Sequence, residues 1–118
     1  MLSLKYPVLA VIALSIGTVN AIIGDATWYT PNGDYGACGA PLQNSDYIVA
    51  LASNQYAGGA RCWKHISASY RGNFVNATVG DLCPGCRNNQ IDLSSTAFKK
   101  LAHLDIGLLH HVTWYYYD

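Results

Sequence analysis

The 118-residue chain contains no glutamate: its seven acidic residues are all aspartate, at Asp25, Asp34, Asp46, Asp81, Asp92, Asp105 and Asp118. Charged residues make up 12% of the whole, so few groups are available to build a polar site. The basic stripe that tracks nucleic acid is missing. Lysine and arginine total 7 and include Lys5 near the start, so the rest carries one more acid than base. A near-neutral, aromatic-rich surface suits an uncharged partner, a glycan or another protein, and excludes nucleic acid. There is no internal repeat, low-complexity tract or interdomain linker. Nor is there an apolar run long enough to cross a bilayer: Val8 to Ile16, apolar apart from Ser15, is too short.

That short run has a different meaning. Met1-Leu2-Ser3-Leu4-Lys5 places one positive charge before it, and Val19-Asn20-Ala21 follows it with small residues. This is the pattern of a secretory signal peptide over residues 1–21. The expectation is a secreted, extracellular protein with a single domain over residues 22–118, and no membrane contact once the signal is removed. About 95 residues make a marginal core, so covalent staples are expected. Cys38, Cys62, Cys83 and Cys86 all lie in the mature part, and an even count in an exported chain reads as two disulfides. Four cysteines allow three pairings, which sequence alone leaves open. Cys83-Pro84-Gly85-Cys86 has type II turn chemistry, which brings the flanking Cα atoms within about 7 Å. It favours Cys83 with Cys86, leaving Cys38 for Cys62.

The mature chain reads as short β-type runs between glycine-rich turns. Ala26 to Thr30 is a strand, broken by Pro31-Asn32-Gly33-Asp34-Tyr35-Gly36. Tyr47 to Leu51 is a strand buried on both faces, and Ser53 to Ala57 one helical turn. Lys64 to Tyr70 and Asn73 to Val79 flank a hairpin turn at Arg71-Gly72-Asn73, and Gln90 to Leu93 is short. Ser94 caps a helix over Ser95 to His103 that buries Ala97, Phe98 and Leu101. His111 to Tyr117 alternates, with Val112, Trp114 and Tyr116 on one face. Many short strands in one small domain predict a small closed barrel, since closure removes exposed sheet edges.

The densest segment is Gly80-Asp81-Leu82-Cys83-Pro84-Gly85-Cys86 followed by Ile91-Asp92-Leu93-Ser94: two carboxylates beside a rigid turn. Together with Gly24-Asp25-Ala26-Thr27-Trp28-Tyr29, Gly36-Ala37-Cys38-Gly39, Val49-Ala50-Leu51 and the closing Trp114 strand, in that order, it resembles the double-psi β-barrel (lipoprotein-A-like) proteins. These include expansins, barwin-type defence proteins and lytic wall enzymes, and among them the chain resembles the fungal single-domain loosenins. The resemblance implies an all-β fold: a six-stranded double-psi barrel with one or two short helices. It implies a groove in which Asp92 hydrogen-bonds glycan, Asp81 and Thr27 support it and Tyr29 stacks. In the related family 45 glycoside hydrolases, the base lies four residues beyond the threonine matching Thr27. Here that residue is Pro31, so the inverting machinery is incomplete and the chain leans away from being an enzyme. An inverting pair also needs its carboxyls roughly 6.5–9.5 Å apart across the scissile bond. Asp81 and Asp92 are expected on one wall. The histidine that lytic relatives carry near the second strand is missing from Val49-Ala50-Leu51-Ala52-Ser53.

Each residue also has a plainer reading: Asp92 as a helix cap, Asp81 as a turn initiator, Thr27 and Tyr29 as packing. Tyr35, Trp63 and Tyr115 to Tyr117 are candidate sugar platforms. Cys83-Pro84-Gly85-Cys86 is not followed by the helix of a redox site, and His65, His103, His110 and His111 lack zinc spacing. No cofactor or metal is expected, and the chain is expected to be a monomer. Asn76-Ala77-Thr78 is a glycosylation sequon inside an expected strand. The expected partner is cell-wall polysaccharide, cellulose or chitin, bound without cutting. One alternative partner is a papain-type cysteine protease, engaged by the Tyr35 loop or the Pro84-Gly85 turn. Another alternative is weak glycan cleavage with Asp92 as acid.

Overall fold

The computed structural model describes residues 20–118; the expected signal peptide lies outside them apart from Asn20 and Ala21. Among these residues are six strands: β1 (Ile22–Tyr29), β2 (Ile48–Ala52), β3 (His65–Tyr70), β4 (Asn73–Cys83), β5 (Ile91–Ser94) and β6 (Leu109–Tyr116). They close in the order β1-β5-β2-β4-β3-β6, with β6 returning to β1. The β1/β5 and β2/β4 pairs are parallel and the others antiparallel. This is the closed six-stranded barrel that the short strand runs imply.

Alternation decides which side chains fill it. Ala26 of β1, Val49 and Leu51 of β2, Ile66 and Ala68 of β3, and Val75, Ala77 and Val79 of β4 belong to one buried cluster. Ile91 and Leu93 of β5 and Leu109, Val112 and Trp114 of β6 complete it within the barrel. Trp114 is wholly buried, and its indole N–H donates to the Asn89 carbonyl at 3.0 Å, which replaces the bond to water lost on burial. All five residues of β2 are buried, as its composition predicts. Val49 and Leu51 face the barrel, while Ile48 lies on the opposite face beside Gly80 and Leu42.

Among the described residues, the helices α1 (Ser53–Tyr56) and α2 (Ser95–Phe98) are one turn each. The expected helix over Ser95 to His103 is therefore cut short. After Phe98 the chain tightens: the Lys100 and Leu101 N–H groups donate to the carbonyls three residues back. This turn buries Leu101 and frees its carbonyl to accept from the Asn73 side chain at 3.0 Å. Tertiary pairing ends the helix where local pattern would continue it.

Both disulfides form, Cys38 with Cys62 and Cys83 with Cys86. The Cys83–Cys86 turn is closed by the Cys86 N–H on the Cys83 carbonyl, but Gly85 is not at positive φ, so the turn is not type II as expected.

Ser94 ties three segments together. Its hydroxyl donates to the Asp46 carbonyl at 2.6 Å and accepts from the Ile48 and Ala97 N–H groups. It is fully buried. Ser94→Ala is expected to destabilise the fold by about 2 kcal/mol in urea unfolding, since it strips a helix cap and two further partners at once. A loss within experimental error would show that these bonds are replaceable.

Candidate functional site

The outward faces of four neighbouring strands meet in one rung. Thr27 of β1 pairs with Asp92 of β5, Asp92 with Ala50 of β2, and Ala50 with Asp81 of β4. Strict alternation from Val79 would aim Asp81 into the barrel. A one-residue bulge prevents this: Val49 pairs with Val79 and Ala50 with Asp81, leaving Gly80 unpaired. The two carboxylates thus share one wall, as expected from the sequence.

Their environments differ. Asp81 accepts from three donors: the Tyr29 hydroxyl on Oδ2, and the Ala37 and Leu82 N–H groups on Oδ1, each at 2.9 Å. Asp92 Oδ1 accepts from the Thr27 hydroxyl at 2.9 Å, and the Gln90 side-chain amide donates to that same hydroxyl at 3.1 Å. Burial pushes the Asp92 carboxyl above its ordinary pKa; the Thr27 hydrogen bond opposes this, and the Asp81 charge adds to it. Burial, then the bond to Asp81, raise the Tyr29 phenol above its ordinary value, so it stays a neutral donor. Asp92 does not cap α2; Ser94 does.

Asp81 also fastens a ribbon over this wall. Asn32 and Gly33 are both at positive φ, turning the chain so that the Asp34 N–H donates to the Pro31 carbonyl. Residues 33–42 then run back on themselves, with Tyr35 bridged to Pro41 and Gly36 bonded to Ala40. Gly36 is required here: a Cβ would lie 2.4 Å from the Gly80 carbonyl oxygen. The Cys38–Cys62 disulfide, the Cys38 N–H on the Gly80 carbonyl and the Ala37 N–H on Asp81 lock the ribbon down. Its Tyr35 projects, 77% exposed.

The Cys83 and Cys86 sulfurs and an Asp92 oxygen lie within 4.8 Å of one another. With both sulfurs bonded to each other, neither is a thiolate able to hold a metal; the disulfide instead walls one side of Asp92. Of the other aromatics, Trp63 is partly exposed, Tyr117 stacks on His65, and Tyr116 is covered by the Arg61 guanidinium at 4.1 Å. Gln90, two residues before Asp92, went unnoticed in the sequence; alternation through the short strand was the signal for it.

This geometry sits in a recognisable family. The profile described as lytic transglycolase, a double-psi β-barrel domain, matches residues 21–113. The chain belongs to this family. Among its relatives, the double-psi barrel protein named papain inhibitor from Streptomyces mobaraensis is 38% identical over 98 residues, 77% of this chain and 68% of that protein. A solved Streptomyces papain inhibitor superposes with a TM-score of 0.76 at 35% identity, covering 84% of this chain and 96% of that one. Expansin-like protein 1 of Dictyostelium discoideum is 36% identical over 103 residues, 76% of this chain but 35% of its own length. An apo expansin from Clavibacter michiganensis has a TM-score of 0.76 at 26% identity, covering 84% of this chain and 51% of that chain. A mutant of that expansin has been solved with cellohexaose; at 24% identity it shares the fold. This double-psi barrel therefore spans about a third to half of the expansins it matches.

Two substitutions separate the acids. Asp81→Ala should cost about 2–3 kcal/mol, because three donors lose a charged acceptor, and urea unfolding reads this directly. For Asp92 the folded pKa lies above the unfolded one, so the folded state binds the extra proton. Stability then falls as pH rises from about 4 through the folded value. Asp92→Asn should melt above the wild type near pH 7, with the gap closing near pH 3. A lower melting temperature near neutrality would contradict this sign.

Proposed function

We propose that the chain is an exported protein that binds cell-wall polysaccharide in the groove around Asp92 and loosens contacts between chains without cutting them. The observation that carries this reading is the unequal engagement of the two acids. Asp81 is committed to three donors of its own chain, while among the described residues Asp92 is held by Thr27 alone. A groove with one poised carboxyl can hydrogen-bond a sugar hydroxyl. It lacks the second acid that inverting hydrolysis requires, since Asp81 shares the same wall and the base position is Pro31. The bacterial expansin solved with cellohexaose supports a glucan as partner. Two disulfides and the leader pattern support an oxidising, extracellular destination.

A second reading rests on the Tyr35 ribbon. Rigidity lowers the entropy lost on docking, which favours a protruding loop as an inhibitor's contact. The ribbon is stapled, bonded to the barrel and tipped by an exposed aromatic, and the 38% identical relative is named a papain inhibitor.

Pull-down on insoluble cellulose and chitin, with reducing sugar assayed in the same tubes and a parallel papain titration, tests both. Binding without sugar release, weakened several-fold by Asp92→Asn and untouched by Tyr35→Ala, is the expected result. Papain inhibition lost in Tyr35→Ala and retained in Asp92→Asn, with no polymer bound, would replace the first reading with the second. Sugar release abolished by Asp92→Asn would make the protein an enzyme.

A further inference from the structure

The outer face of β4, away from Asp92, holds the least expected surface in the barrel. Phe74 is 67% exposed and Tyr47 39% exposed, side chains that a small exported domain gains nothing by wetting. They line a cleft of about 440 Å³ with Val75, Asn76 and Lys100. β2 pairs with β4 only from Thr78 onward, so among the described residues Phe74 to Ala77 have a strand on one side only, and Tyr47 stands in the gap.

Phe74, Asn76 and Thr78 are spaced two apart along one strand, so they share its outer face. Asn76-Ala77-Thr78 is the acceptor pattern for N-glycosylation, and Asn76 is exposed. The cross-strand neighbours of Phe74 and Asn76 are Ser69 and Ser67, small residues that leave clearance above the sheet.

The geometry points to Asn76 as an N-glycosylation site whose first sugar seats its apolar face on the Phe74 ring, so that the cleft is filled by the protein's own glycan. In the transfer, a lipid-linked diphospho-oligosaccharide is the donor. The bond from C1 of the first sugar to its diphosphate oxygen breaks, and a bond from C1 to Asn76 Nδ2 forms. The lipid diphosphate is the leaving group, and the amide proton is lost from nitrogen. Aromatic faces match the C–H face of a sugar as they match other apolar planes, which accounts for a bare phenylalanine two residues before the acceptor. The cleft is distinct from the Asp92 rung, but the inference rests on the export reading above, since the donor is met on the secretory route.

The test is secretion of the full chain from a yeast host, with intact mass measured before and after treatment with peptide-N-glycosidase. The expected mass excess is removed by the enzyme, with deamidation marking position 76, and is lost in both Asn76→Gln and Thr78→Val. Glycosylated protein should melt about 4 °C above the same chain made without glycan, a gain lost in Phe74→Ala. An unmodified chain in the medium overturns the glycan and leaves export standing. An unmodified chain retained in the cell overturns both. Equal gains in wild type and Phe74→Ala would overturn the stacking contact.

Discussion

The carboxylate of Asp81 ties together three parts of the chain. It accepts from Tyr29 on β1, from Leu82 on its own strand and from Ala37 in the ribbon. A charged acceptor with three donors is among the stronger polar arrangements available to a partly exposed group. It depends on the Gly80 bulge, because without the extra residue the side chain would point into an apolar barrel, where an unpaired charge is too costly to bury. The Tyr29 and Ala37 hydrogen bonds to Asp81 both depend on that bulge.

Asp92 is the contrasting case. It lies beside a disulfide and beneath partial cover, with one hydroxyl partner, and its carboxyl is raised mainly by burial. Its ionised form weakens the fold above its pKa, whereas Asp81 is tied into the fold by three hydrogen bonds. Groups kept at a cost to stability are characteristic of working sites, which is why the groove reading centres on Asp92. The ribbon shows a different economy: a positive-φ turn, a disulfide and two hydrogen bonds to β4 hold Tyr35 outward without any core of its own.

Most of the barrel is legible in the sequence. The buried β2, the β3–β4 hairpin, the alternation of β6 and the role of Ser94 were readable as periodicity and turn chemistry, because those signals are local. The pattern after Ser94 implies a longer helix than the fold contains: Leu101 does pack inside, but the Asn73 contact ends the helix early. The Cys83–Cys86 turn was placed correctly and its type was not, since glycine permits positive φ without requiring it. Within the site, Thr27, Tyr29, Asp81 and Asp92 do converge, but Gln90 and the Ala37 N–H were invisible, one masked by a short strand and the other being backbone.

By itself the sequence determined the inventory: a small stapled barrel, few charges and two aspartates eleven residues apart. Those properties are carried by residue identity and spacing along one strand or turn. Only the tertiary structure decided what each acid does. The difference between Asp81 and Asp92 arises from donors 44 to 65 positions away in the chain and from one unpaired glycine. No local pattern encodes such partners, because they are chosen by closure of the barrel.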